Sequence, residues 1–375
     1  MSYPTQLRIV AIVILPILPA FCADWNPKLA EQYLDARQKA WVEWPHALES
    51  GVACVSCHTG LPYLMARPQL RRTLGESSPT LYEDVLVAGI RATVIRTDAK
   101  DLFKGLKGRI VDQVYGAQVI VSALVLAMDD AQRGHMSPEG EKALDRMWTI
   151  QLHDGPDKGA WLWSDFDLDP WETKDAAYYG AALAALATGI APDGYQARPA
   201  IRSNVAELQA YLREARAAQP LHNQLFLLWA AAKLHGTLTA SDRQAILDET
   251  WKKQDADGGW ALASLGPWKQ RPSAPPTSGS NSYSTAVAAF TIQEAGVARS
   301  NQSLGRALDW LRSHQDPESG RWASDSMNHK HDPGSMTELF MSDAATGYAT
   351  AALLAGERTP AHHAIRPTAS LQGSH

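Results

Sequence analysis

The sequence predicts an all-α protein whose helix pairs stack and curve into a solenoid or a closed toroid. Three observations predict it. Apolar residues recur with helical period from about Leu81 onward, strand patterns are nearly missing, and a Gln, an acidic loop, a Gly and a Trp recur together three times. A helix pair buries its apolar face only by stacking on neighbours, so four or more such units close or curve. With 375 residues, 45% of them hydrophobic, the chain is long enough for one large core or two of ordinary size. Lys and Arg total 35 against 40 Asp and Glu, with no long block of like charge, a balance that points away from a nucleic-acid partner.

Taken from the N-terminus, residues 1–23 have the layout of a secretory signal peptide: Arg8, an apolar run from Ile9 to Leu18, then small residues between Ala20 and Ala23. The run is short against the ~20 residues of a spanning helix, so no stable membrane span is expected after cleavage, although an uncleaved anchor is the competing reading. Cys22 invites lipidation, but Phe21 is a poor residue before a lipidated cysteine. The expected address is the bacterial periplasm.

Cleavage near Ala23 leaves Cys54 and Cys57, both in the string CVSCH, and no disulfide framework follows from them. Two thiols at this spacing can add to the two vinyl groups of one haem, and the adjoining His58 is placed to bind the iron as an axial ligand. Export and covalent haem attachment support each other. A thioredoxin-like redox pair would need a strand-to-helix turn in a βαβ setting, and half of a zinc site would need two more ligands close by; neither is evident. Residues 24–81 thus read as a short helical segment binding one covalent haem c. For the distal ligand the candidates are Met65, His46, His135 and Met136, and a five-coordinate iron is the other option. Methionine ligation favours electron transfer, whereas an open position favours chemistry of small oxidants.

The repeats occupy residues 82–356. The three motifs run from Gln151 to Trp161, Gln254 to Trp260 and Gln315 to Trp322, each after a helix carrying Trp148, Trp251 or Trp310, and each before an Ala-rich helix beginning near Asp175, Asn281 or Ser342. Between the second and third copies the step is 61 residues, and between the first and second 103, room for an extra unit made of a helix over 202–217 and another from His222. The tail, 357–375, reads as a flexible end.

The repeated Q-x-x-D-G-G-W string between paired helices resembles the QW repeats of the terpenoid cyclase and protein prenyltransferase superfamily, which includes the squalene–hopene cyclases. The resemblance implies an α/α toroid with the QW loops outside, Gln151, Gln254 and Gln315 at helix ends, and Trp161, Trp260 and Trp322 stacked beside them. It does not carry the activities. The D-x-D-D acid of the cyclases is missing, and the Cys ligand that a prenyltransferase zinc needs is committed elsewhere. A haem segment ahead of such repeats looks like cytochrome-bearing bacterial relatives of this superfamily.

If the Ala-rich helices line the middle, Asp175, His222 with Asn223, Asn281 with Tyr283, and Asp343 form a polar rim. Asp, Asn and Ser there act as helix caps, while Asp175, His222 and Asp343 are the candidates for a catalytic or ligand-binding role. The loop with Asp165, Asp167, Asp169 and Glu172 reads as solvated, with a divalent cation as the alternative, and His329 and His331 read as surface residues that could also ligate. Two functions are carried forward. One is an exported haem protein, an electron carrier or an oxidoreductase whose toroid binds an apolar, isoprenoid-like molecule, with a redox protein as partner. The other is a non-redox isoprenoid-binding, structural or haem-based sensor module.

Overall fold

The computed structural model describes residues 24–49, 52–96, 99–103 and 105–355. The expected signal peptide, 1–23, and tail, 357–375, lie outside the described residues. The described residues are helical apart from loops and one antiparallel pair of two-residue strands, β1 (Leu48–Glu49) and β2 (Val52–Ala53). The helices, in order, are α1 (Pro27–Glu43), α2 (Gly60–Thr73), α3 (Leu81–Val94), α4 (Arg109–Arg133), α5 (Pro138–Thr149), α6 (Ala176–Ile190), α7 (Arg202–Glu214), α8 (Leu221–Lys233), α9 (Ala240–Lys252), α10 (Ser282–Glu294), α11 (Gln302–Ser313) and α12 (Phe340–Ala355).

Local chemistry explains where they start. Asn26 accepts from the backbone of Lys28 and Leu29 ahead of Pro27, Ser137 caps α5 ahead of Pro138, and Thr80 with Glu83 and Thr239 with Asp242 form capping boxes. Gly134, left-handed at φ 77°, ends α4. The odd helices are one-sided: α11 buries Leu304, Ala307, Leu308 and Leu311, the stripe of a helix with a wet outer face. The even ones differ. From Tyr178 to Thr188 every residue of α6 is buried, and α10 and α12 bury almost every residue, as helices covered on all sides must.

Packing follows the same division. α4 packs on α6, α6 on α8, α8 on α10, α10 on α12, and α12 returns onto α2, which also touches α4. α4 is long and apolar enough to cross a membrane, yet here it packs against α5 and α6. Small residues permit the close approaches. A Cβ on Gly116 would stand 2.2 Å from the carbonyl oxygen of Leu162, and one on Gly347 would stand 2.5 Å from Cβ of Pro62, where α12 meets α2.

The three Gln–Trp motifs make matching bonds. Nε2 of Gln151 donates to Gly159 O and Asn204 O, that of Gln254 to Gly258 O and Ser303 O, and that of Gln315 to Gly320 O and Asn26 O. Each glutamine thus joins its own loop to the start of the next outer helix, and for Gln315 that helix is α1, 289 residues back. Trp161, Trp260 and Trp322, all buried, donate from Nε1 to Met147 O, Thr250 O and Leu311 O near the end of the preceding helix, satisfying carbonyls that helix ends leave open. Trp148 and Trp251 lie against Trp161 and Trp260, but Trp25 takes that place beside Trp322, while Trp310 stacks on His314.

The α2–α12 contact is the place to test this packing. Gly347→Ala is expected to destabilise the protein by about 1–3 kcal/mol, because backbone atoms of Pro62 must move. Gly305→Ala on α11, whose added methyl meets nothing within 4 Å, is expected to be neutral or stabilising by up to about 1 kcal/mol. Denaturant midpoints of the two variants measure the contrast.

Candidate functional site: the Cys54–His58 cleft

The CVSCH string forms the turn that leads into α2. Trp41 Nε1 donates to Cys54 O at 2.7 Å, and Ser56 Oγ accepts from the backbone of Thr59 and Gly60, so the serine between the cysteines caps the helix. Cys54 and Cys57 form no disulfide. Both line one cleft enclosing about 970 Å³, part of it open to solvent, with His58, His46, Gln118, Glu172 and an apolar wall of Trp41, Phe103, Val121, Trp163 and Trp171. That mixture of many apolar and few polar groups is the lining of a small-molecule or cofactor site.

The His58 ring is tightly held. It stacks on Phe340 at 3.6 Å, meets Trp41 edge-on at 4.9 Å, and has Trp171 at 6.0 Å. Its Nδ1 lies 2.8 Å from Thr59 Oγ1, and that hydroxyl donates to Asp343 Oδ2 at 2.8 Å. Since the hydroxyl proton is spent on Asp343, the threonine oxygen must accept from Nδ1–H. Among the described residues this is the ring's only hydrogen bond, which leaves Nε2 with its lone pair facing no competitor. Burial, with Arg37 adding to it, pushes the pKa of His58 down to about 3, so the imidazole is neutral and fit to bind a metal.

Asp343 is the hub of this arrangement. Its buried carboxylate takes a bidentate pair from Arg37 at 2.7 and 3.0 Å, a bond from Tyr33 at 2.9 Å and the one from Thr59. Burial pushes its pKa up, with Arg37, Thr59 and Tyr33 pulling the other way. Asp343 therefore lies inside α12 and beneath His58 rather than capping a helix.

The other rim residues gather separately. Asn281 does cap α10, whereas Asp175 makes no side-chain cap and instead offers its carbonyl to Asn223 Nδ2. His222, fully buried, bonds Asn223 Oδ1 at 2.9 Å through Nδ1 and Tyr283 Oη at 2.8 Å through Nε2. Of the distal candidates, His46 lines the cleft. Met65 instead lines a separate cleft with Met128, Trp229 and Phe290 near the C-terminal ends of the even helices, and His135 and Met136 follow the end of α4, whose opening turns face the cysteines. The acidic loop is tied by ion pairs: Asp167 to Lys269 and Arg271, and Asp169 to Arg271. Among the described residues no group of three His, Cys, Asp or Glu side chains is arranged to hold a metal ion.

Glu172, in the acidic loop, also faces the cleft. It lines both the cysteine cleft and a neighbouring pocket of about 690 Å³ that contains His329, His331, Asn328 and Thr337, and burial pushes its pKa up to about 7. Nothing in its sequence neighbourhood except the adjoining Trp171 marks it as buried. Cys57 lies beside it, and burial, with Glu172 and Cys54 adding charge repulsion, pushes that thiol up. Compared with known family models and with curated proteins, the chain matches none.

His222 makes stability pH-dependent. Burial pushes its pKa down to about 4 from an ordinary 6.5, so below about pH 6.5 the unfolded chain takes up a proton that the folded one refuses. That contribution is complete above the unfolded value and is lost as the pH falls toward 4. Between pH 7 and pH 5 it amounts to roughly 2 kcal/mol, so urea unfolding of the native protein is expected to weaken over that range by about this much more than unfolding of His222→Gln.

Proposed function

We propose that this chain is an exported c-type haem protein of the periplasm, built as an α/α toroid of six helix pairs, that transfers electrons or carries out a haem-dependent oxidation. The observation that carries the reading is the shared cleft: Cys54 and Cys57 open onto it together, and His58 enters it with Nδ1 engaged and Nε2 available. The toroid is supported by the closed series of even helices with odd helices outside, in which α1 and α2 would be one of the six pairs. The QW resemblance points the same way.

The residues fit the group. Cys54 and Cys57 would hold the porphyrin edge, His58 would bind the iron, and the Thr59–Asp343 relay would fix the imidazole's orientation and raise its basicity, as outer-shell partners of ligating histidines do. Haem would supply a one-electron redox couple there and, without a second protein ligand, a seat for a small oxidant. Apart from His58, His46 is the His or Met side chain among the described residues lining the cleft, and it would be the first candidate for a second iron ligand. Trp41, Phe103 and Trp163 line the cleft and would exclude water from a group bound there.

Substrate processing inside the ring has less support than electron transfer at its end. Tyr179, Phe226, Tyr283 and Tyr348, all buried, meet one another across the middle, so that space is filled by side chains. An apolar partner would use the pocket beside Trp171 or the cleft around Trp229. A redox protein would approach where the cysteines face solvent.

Expression with a haem-maturation system tests the proposal. Haem is expected to stay with the polypeptide on a denaturing gel, to be lost from the Cys54→Ser, Cys57→Ser double variant, and to show a carbon-monoxide-sensitive reduced spectrum if His46 does not ligate. Thr59→Val should raise the midpoint potential, because an imidazole without its acceptor donates less to iron. Absence of covalent haem from the native protein overturns the reading.

A further inference from the structure

The pair formed by His222 and Tyr283 is set up more specifically than core packing requires. Asn223 spends its amide nitrogen on Asp175 O and Gln219 Oε1, so its Oδ1 faces His222 and accepts from Nδ1–H. Nε2 then carries the lone pair, and the phenol of Tyr283 must be the donor in the 2.8 Å bond. Both residues are wholly buried. The Tyr283 ring meets Trp171 edge-on at 5.5 Å, and Trp171 stands 6.0 Å from His58 on the wall of the cysteine cleft. A phenol with its own proton acceptor is therefore joined to the cleft by one aromatic ring.

We propose that Tyr283 and His222 are a proton-coupled redox pair that delivers an electron, through Trp171, to the haem held in the cleft. The inference rests on the haem reading above. Tyr283 is oxidised by one electron, and its phenolic proton passes along the hydrogen bond to Nε2 of His222, whose imidazolium is stabilised by Asn223 Oδ1. The terminal oxidant is hydrogen peroxide, which takes two electrons and two solvent protons as its O–O bond breaks to give two waters; Tyr283 supplies one electron and the haem the other. An external donor returns two electrons, one that would restore the haem and one that restores the phenol as the proton returns from His222. Coupling the two movements matters because oxidising a buried phenol without moving its proton would leave an unsolvated cation on the ring. Burial keeps His222 neutral beforehand, so its lone pair is free to accept.

The holoprotein tests this by electron paramagnetic resonance after mixing with hydrogen peroxide and rapid freezing, with the haem spectrum recorded on the same sample. A tyrosyl signal is expected in the native protein and in Tyr348→Phe, and is expected to vanish in Tyr283→Phe while the haem bands persist. In His222→Gln its yield should fall about tenfold or more, the factor that a hydrogen bond of ordinary strength represents. An undiminished signal in Tyr283→Phe, or haem-loaded native protein without a tyrosyl signal, overturns the pair. A native protein lacking haem bands overturns the reading on which the pair rests, and the pair with it.

Discussion

The Asp343 carboxylate, buried where α12 meets α1 and α2, is the interaction on which the rest of the structure depends. Its partners Arg37 and Tyr33 lie 306 and 310 residues away in sequence, and Thr59 lies 284 away, so this one group ties the C-terminal helix to the first two. Removing one member of a buried, hydrogen-bonded charge pair costs roughly 3–5 kcal/mol, because the partner is left desolvated. Such a group is a poor source of net stability but a strong determinant of which surfaces meet. Gly347 on the same helix lets α12 lie against Pro62 of α2, and Gln315 holds the cap of α1, so three contacts close the series at one seam.

The same carboxylate orients His58. Through Thr59 it dictates which imidazole nitrogen carries the proton, and the Phe340 stack fixes the ring plane. Because Asp343 and Phe340 both belong to α12, the orientation of His58 is set by that helix. Folding and the orientation of the His58 ring are therefore one event.

What could be read in the sequence follows from range. CVSCH is local, and its consequence, two cysteines and a histidine on one turn, needs no knowledge of the rest of the chain. The Gln and Trp of each motif were equally legible because their bonds run to the adjoining loop and helix. Trp310 was not: its resemblance to Trp148 and Trp251 by spacing hides that Trp25, from the far end of the chain, takes the place beside Trp322. Asp343 was a candidate both for a cap and for a site residue, and it is a buried group that orients His58 through Thr59; nothing near it in sequence announces Arg37. Met65, His135 and Met136 are close to CVSCH in sequence or type but lie along or past helices that lead away from the cleft. A helix of 25 residues carries its two ends ~37 Å apart, so proximity in sequence says little about which end a side chain serves.

The filled middle follows from the same constraint of close packing. Alanine and glycine let the even helices approach, and Tyr179, Phe226, Tyr283 and Tyr348 take up space between them. Tyrosine fills that space with a hydroxyl attached, and a buried hydroxyl requires a partner. His222 answers Tyr283, and the cost of burying an imidazole is contained because Asn223 satisfies its other nitrogen. A core built only of leucine and phenylalanine would pack as well without these obligations. The Tyr283 ring at the centre also meets Trp171, which in turn lies near His58, so this polar pair is in contact with the cleft wall rather than isolated in the core.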